Sequence, residues 1–265
     1  MAQDTPFYRA LVIDLDGTLI AQDAISPAVF AAITGLHGSM RISIATGREA
    51  SHVLDFARQL GLSDPQICDG GAMALDPTDG STLWTTPLSM RQAREILGWL
   101  AHSDVPFMAT HPTGTITGIA EVQAWDLTRI SALDVEEAVA DGVVSRFVAD
   151  ADLNVVKVFL PYNGLWAVDF TRSGVDKGSA VHRLAEIFGL EPNQFVGVGD
   201  SYNDIPMLRA CGLKIAMGDA PDEVKAMADF VVPPAAEDGL AVVVRDLIQP
   251  ALRGAAMGQF MVGSG

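Results

Sequence analysis

Short apolar runs alternate with helical periodicity at both ends of the chain, the pattern of βα units that build a parallel sheet. Leu11–Val12–Ile13 reads as a buried strand that stops at the polar stretch Asp14–Thr18. Ser26 then caps a helix with Pro27 in its first turn, and Val29, Ile33 and Leu36 share one face. Arg41–Ala45 predicts a second strand ending in the polar turn Thr46–Gly47–Arg48, and a helix follows over about 50–60 with Gly61 as its stop. Toward the other end, Val181, Leu184, Ala185 and Phe188 fall at helical spacing before Gly189. Phe195–Val198 predicts a strand that ends at Gly199–Asp200, and Leu208 lies on a helix beyond it. Lys214–Met217 and Asp229–Val232 read as further strands, separated by a helix that starts near Pro221. A final amphipathic helix covers about Glu237–Ile248, and the Gly- and Ala-rich tail beyond Pro250 is expected to fray.

The middle of the chain reads differently. Turn-rich stretches (Asp76–Ser81, His111–Gly118) break it up, and Ser89 with Gln92 forms a capping box for a helix carrying Ala93, Ile96, Leu97 and Leu100 on one side. Val143–Val148 and Leu153–Leu160 look like paired strands. All four tryptophans (Trp84, Trp99, Trp125, Trp166) fall in this segment and are expected to form its core. The expectation is an α/β core over 1–75 and 172–265, interrupted by an inserted α+β domain over 76–171.

With 265 residues, 49 % of them hydrophobic and 19 % charged, the chain is globular rather than disordered or fibrous. Its net charge of −16 opposes binding to a nucleic-acid backbone. An anionic substrate would therefore need a local cation supplied by the site. Cys68 and Cys211 are too few for a disulfide framework and lack metal-ligand spacing. The first residues read as neither a secretory signal nor a membrane span, so a cytoplasmic setting without membrane partners is the default expectation.

Candidate chemistry lies where the predicted core strands end. Asp14-Leu15-Asp16-Gly17-Thr18, Thr46-Gly47-Arg48 and Gly199-Asp200-Ser201-Tyr202-Asn203-Asp204 each follow a strand, and ligands of open parallel sheets bind beyond the carboxyl ends of strands. One Asp-Gly pair is ordinarily a turn. Three such clusters in register with three strands instead predict that Asp14, Asp16, Asp200 and Asp204 meet at one edge. Their mutual repulsion calls for a cation, and an all-oxygen set favours a hard ion such as Mg²⁺.

These motifs resemble those of the haloacid dehalogenase superfamily, in particular its Cof-type phosphatases with a large cap between the second and third motifs. Asp14-Leu15-Asp16-Gly17-Thr18-Leu19 is similar to the first motif, Thr46-Gly47-Arg48 to the second, Lys177-Gly178 to the third, and Gly199-Asp200 with Asn203-Asp204 and Met207-Leu208 to the fourth. The stretch Ala216–Ala220 and the pair Ala228-Asp229 also look Cof-like, so the resemblance covers nearly the whole chain. It implies a Rossmann-like core, an inserted cap, and a Mg²⁺-dependent phosphatase acting on small phosphorylated metabolites, sugar phosphates foremost. Asp14 would be the nucleophile that forms an aspartyl-phosphate. Asp16 would serve as acid and base, with its backbone carbonyl available to the ion. Thr46 and Lys177 would hold the phosphoryl group together with backbone groups of Leu15, Gly17 and Gly47. Asp200 would complete the metal site with Asp204, while Asn203 and Asp204 orient the ion or Lys177. Arg48 is a candidate for the distal part of the substrate.

Two positions depart from the pattern: Gly70 in Asp69-Gly70-Gly71-Ala72 replaces an Asn, and Asp219 stands where relatives often carry Asn. Both bear on substrate identity rather than on catalysis. Lys157 is expected on a solvated face, with the cleft as the alternative, and His102 and His111 lie in the insert as candidates to touch substrate. His37, His52 and His182 are expected at the surface, and Gly114 and Gly118 bracket a turn rather than a phosphate loop. Two other readings remain: a phosphotransferase or phosphomutase of the same superfamily, or a non-catalytic phospho-ligand sensor. The presence of both Asp14 and Asp16 weighs against the sensor, since binding alone needs no acid/base carboxylate.

Overall fold

A computed structural model describes residues 8–160 and 163–252. The predicted tail beyond Pro250 lies outside the described residues from position 253 on. The strands are β1 (Ala10–Ile13), β2 (Arg41–Ile44), β3 (Gln66–Cys68), β4 (Met73–Leu75), β5 (Thr82–Thr85), β6 (Phe107–His111), β7 (Gly114–Ile116), β8 (Arg129–Val135), β9 (Leu153–Leu160), β10 (Leu165–Arg172), β11 (Phe195–Gly199), β12 (Leu213–Met217) and β13 (Phe230–Val232). The helices are α1 (Pro27–Thr34), α2 (Ala50–Gln59), α3 (Met90–His102), α4 (Glu137–Phe147), α5 (Lys177–Phe188), α6 (Ile205–Ala210), α7 (Asp222–Met227) and α8 (Gly239–Val242), which runs on as a wider π-helical stretch over Val243–Ile248.

The core sheet is parallel, in the order β13-β12-β11-β1-β2. A bridge from Ala45 to Ile67 carries it on to β3. Strand β1 is buried along its whole length because helices cover both faces. Alternation sorts its side chains. Leu11 and Ile13 join Val29, Ile33, Val53 and Leu240 on one face, whereas Ala10 and Val12 join Val181, Leu184, Met207 and Val224 on the other. Each such aliphatic burial contributes about 1.5–3 kcal/mol, so the register of β1, and with it the position of Asp14, is strongly fixed. The chain starts at the sheet's centre, runs outward one way, and returns beside β1 as β11. The loops after β1, β2 and β11 therefore border the point where strand order reverses.

A second sheet, in the order β7-β6-β8-β10-β9, is antiparallel and backed by α3 and α4. Its helix-side core includes Ile96, Leu97, Ile130, Val143, Val168 and Phe170. Ser89 and Gln92 form the expected capping box at the start of α3.

Three expectations need correction. Val143–Val148 is not a strand: Val143 and Phe147 lie on α4, and together with Ala140 they form a helical stripe buried on the sheet. The β-branched valines suggest a strand, but the apolar residues Val143, Val144, Phe147 and Val148 recur at helical spacing around Ser145 and Arg146. The partner of β9 is accordingly β10, across the full length from Leu153–Arg172 to Leu160–Leu165. Trp84 does not belong to the insert's core. It packs with the α5–α6 cluster, donates its indole N–H to the Gly71 carbonyl at 3.3 Å, and lies under the Arg183 guanidinium. The last helix starts at Gly239 rather than Glu237, because Asp238 adopts φ +60° and breaks it from the preceding turn.

Candidate active site

Asp14 extends β1 by one residue, its N–H donating to Val198 at 2.9 Å. The chain then folds back, and the Leu15 carbonyl accepts from the N–H groups of Leu19 and Ile20 at 3.0 and 2.9 Å. The Leu15 side chain is buried in the core, so only its backbone can reach the site. Gly17 makes this fold-back possible, since it adopts φ +77°. A Cβ there would stand 2.5 Å from Asp200 Oδ2, so a glycine lets the Asp200 carboxylate close on the first loop.

Lys177 is the first residue of α5, whose N-cap is Asp176 in a capping box with Ser179. The glycine-rich turn after β3 sets this end of the helix: Gly71 has φ +105°, and a Cβ on it would lie 2.2 Å from the Asp176 carbonyl oxygen. Lys177 is 1 % exposed. Its ammonium donates to Asp14 Oδ1 and, at 2.6 Å, to Asp204 Oδ1. The other oxygen of Asp204 accepts from the backbone N–H groups of Asp200 and Ser201, both at 3.0 Å. Asp204 thus spends both oxygens on holding Lys177 and the turn after β11.

One carboxylate oxygen each from Asp14, Asp200 and Asp204 lies within 4.8 Å of the others. Three carboxylates face one ammonium. Burial, followed by the charge of Asp204, pushes Asp14 up to about 7; burial, followed by Asp14 and Asp204, pushes Asp200 up to about 10. Burial alone would lower Lys177, but Asp14 and Asp204 outweigh it and raise the ammonium above its ordinary value. Surplus negative charge among oxygen-only donors fits a hard divalent cation such as Mg²⁺. Asp14 and Asp200 offer the oxygens not already committed to the lysine or the backbone turn. Asp16 is not part of this group, so its carboxylate is not a ligand here. It is exposed and forked by Arg48, at 2.9 Å from Nε and 2.5 Å from Nη2.

Arg48 Nη2 also donates to Asp23 at 2.6 Å, so the guanidinium is engaged by two carboxylates of its own chain rather than left open toward a distal substrate group. Burial opposes its charge, and the two carboxylates more than compensate. Thr46 is buried at the end of β2, and its hydroxyl oxygen accepts from the Arg48 N–H at 3.1 Å, which leaves the hydroxyl proton to donate. Gly47 follows at the rim. The Asn203 side chain accepts from the Ser201 hydroxyl at 2.7 Å within the turn after β11.

Of the two departures, Gly70 adopts φ +65° beside Asp69, which is fully buried at φ +50° and accepts from the Thr128 hydroxyl at 2.7 Å, tying the turn after β3 to the second sheet. Asp219 is exposed. Lys157 is not in the cleft: in register with Val168, it lies half-buried on the helix side of the second sheet, paired with Glu137 and Asp141 of α4 at 3.2 and 2.6 Å and stacked over Trp166. His111 pairs with Thr113 in the β6–β7 hairpin, and His102 is exposed, as are His37, His52 and His182. Sequence reasoning missed Arg129, Ser131 and Asp169, which form a polar cluster on the second sheet. The signal was there: they are polar residues at alternating positions in otherwise apolar strands.

The family model of haloacid dehalogenase-like hydrolases matches residues 11–141 and 143–244. The chain is similar to a pyridoxal phosphate phosphatase of Escherichia coli, 26 % identical over 261 residues that span 88 % of this chain and 96 % of the relative. It is equally similar to a phosphoglycolate phosphatase of Methanothermobacter thermautotrophicus, 26 % identical over 241 residues spanning 89 % of this chain and 97 % of the relative. Among solved structures, a haloacid dehalogenase-like hydrolase from B. subtilis superposes with a TM-score of 0.80 at 22 % identity, covering 91 % of this chain and 100 % of that one. No helix among the described residues is long and apolar enough to cross a membrane.

Proposed function

The chain belongs to the haloacid dehalogenase-like hydrolases, and we propose that it is a Mg²⁺-dependent phosphatase of small phosphomonoesters, sugar phosphates foremost, working through Asp14. One observation carries this reading. A buried ammonium, Lys177, is held by Asp14 and Asp204 beside Asp200, at the switch point of a parallel sheet. That ammonium, together with a divalent cation that the carboxylates would hold, supplies the local positive charge that a chain of net charge −16 needs to admit an anion.

Phosphoryl transfer is mostly positioning plus charge stabilisation. Asp14 attacks phosphorus as the ester P–O bond breaks, giving an aspartyl-phosphate and an alkoxide. Asp16, released from Arg48 and carrying a proton, donates it to that alkoxide and takes one back from the water that then hydrolyses the acyl phosphate, so no net proton is consumed by the residue. Lys177 lies against the nucleophile and neutralises the approaching phosphoryl oxygens. Thr46 donates its hydroxyl, and Gly17 and Gly47 let backbone N–H groups come close. Asp14 and Asp200 would hold the cation, which would supply Lewis-acid charge to screen the nucleophile from the phosphate. Asp204 acts through Lys177 and the turn after β11.

A phosphometabolite panel scored by inorganic phosphate release tests the reading. Turnover with Mg²⁺ that EDTA removes is expected. Binding of phosphoesters with no phosphate release would favour a sensor, and isomerised product without phosphate release would favour a mutase.

A further inference from the structure

Alternation in the second sheet sends Ile130, Val168 and Phe170 into its helix-backed core. Arg129, Ser131 and Asp169 point to the opposite face, with Asp169 and Ser131 directly paired across β10 and β8. That face meets the core loops. At one end, the Thr128 hydroxyl and Arg129 reach Asp69, the latter with Nε 3.9 Å from Asp69 Oδ1. At the other, Asp169 comes to Gly47: a Cβ on Gly47 would lie 3.9 Å from Asp169 Oδ2, so the carboxylate faces the second-motif loop across a narrow gap.

The two oxygens of Asp169 differ in what they can do. Oδ1 accepts from Arg129 Nη1 at 3.0 Å and from the Ser131 hydroxyl. No hydrogen bond from the described residues reaches Oδ2. Arg129, 7 % exposed, is flanked by Asp69 and Asp169, so two carboxylates answer one guanidinium and the cluster carries surplus negative charge. Residues serving packing alone would not need an ionisable side chain braced by two donors and aimed at the loop beside Thr46.

We propose that Asp169 is a specificity residue whose Oδ2 accepts a hydrogen bond from a hydroxyl or ammonium group on the leaving part of the substrate, and that it disfavours leaving groups bearing a carboxylate. Arg129 and Ser131 are positioning residues that fix its rotamer, and Asp69 holds Arg129. The inference rests on the phosphatase reading and deepens it: a polyol or amine-bearing phosphoester suits this site, and phosphoglycolate, the substrate named for one relative, does not. A site that hydrogen-bonds a substrate hydroxyl discriminates strongly against ligands that leave it unpaired or bring a like charge.

Steady-state kinetics of the wild type, Asp169→Ala and Asp169→Asn on p-nitrophenyl phosphate, glucose 6-phosphate and phosphoglycolate test it. For the wild type, glucose 6-phosphate should exceed phosphoglycolate in kcat/KM. Asp169→Ala should raise KM for glucose 6-phosphate about ten-fold or more, the loss of a hydrogen bond to a charged group, with p-nitrophenyl phosphate within about three-fold of wild type. Asp169→Asn, which preserves shape, presents an amide N–H and should raise kcat/KM on phosphoglycolate about ten-fold. A wild type that prefers phosphoglycolate, or variants that change all three substrates alike, would overturn the proposal while leaving the phosphatase reading intact. A wild type inert toward all three with Mg²⁺ would overturn that reading, and the proposal with it.

Discussion

Asp204 accepts from the Lys177 ammonium on Oδ1 at 2.6 Å while its Oδ2 is taken by two backbone N–H groups. Lys177 is therefore held from behind, with Asp14 in front. Replacing it by methionine leaves Asp14, Asp200 and Asp204 without a protein cation. Removing one partner of a buried ion pair typically costs about 3–5 kcal/mol, so Lys177→Met should lower stability by that order in EDTA, and Mg²⁺ should recover part of it. Urea unfolding with and without Mg²⁺ measures this. A variant as stable as wild type in EDTA would show that the ammonium does not balance the carboxylates.

Gly71 and Gly70 separate crowding from backbone preference. Both have positive φ, but a Cβ on Gly71 meets the Asp176 carbonyl at 2.2 Å whereas one on Gly70 meets nothing within 4 Å. Gly70→Ala should cost about 1–2 kcal/mol, the left-handed penalty alone. Gly71→Ala should cost more and reduce kcat as well, because it displaces the start of α5 and with it Lys177. Equal effects on stability and on kcat would contradict this.

The raised carboxylates give the metal-free protein a definite pH dependence. Asp14 rises to about 7 and Asp200 to about 10 in the folded state, from 3.8. Between about 4 and those values the folded chain binds more protons than the unfolded one, so stability falls as pH rises. A divalent cation competes with the same protons, so its stabilising effect grows with pH. Thermal unfolding in EDTA and in excess Mg²⁺ at pH 5, 6.5 and 8 should show a widening Tm gap. A gap that is constant or narrows toward pH 8 would rule out these carboxylates as the cation's ligands.

Much of this arrangement is legible in the sequence, because a parallel strand buried on both faces reads as an unbroken apolar run that stops sharply at its first carboxylate. Leu11–Ile13 before Asp14 and Phe195–Val198 before Gly199-Asp200 show it, and Ser89 with Gln92 marks a helix start by local chemistry alone. Residues whose meaning depends on a distant partner are not legible in this way. Nothing near Asp169 in the chain points to Gly47, and Asp16 gives no local sign that Arg48 grips it. One misreading also hid an ion-pair cluster. With Val143–Val148 taken as a strand, Glu137 and Asp141 could not be placed on a helix beside Lys157, whose partners they are.

The central claim is that Asp14 is the nucleophile of a cation-assisted phosphoryl transfer. Its most direct measurement is phosphate release from p-nitrophenyl phosphate by wild-type protein and Asp14→Asn, each in Mg²⁺ and in EDTA, with circular dichroism confirming that the variant is folded. Turnover is expected from the wild type in Mg²⁺ alone, and none above background from Asp14→Asn in either condition. A folded Asp14→Asn that retains a substantial share of the Mg²⁺-dependent rate would contradict the account.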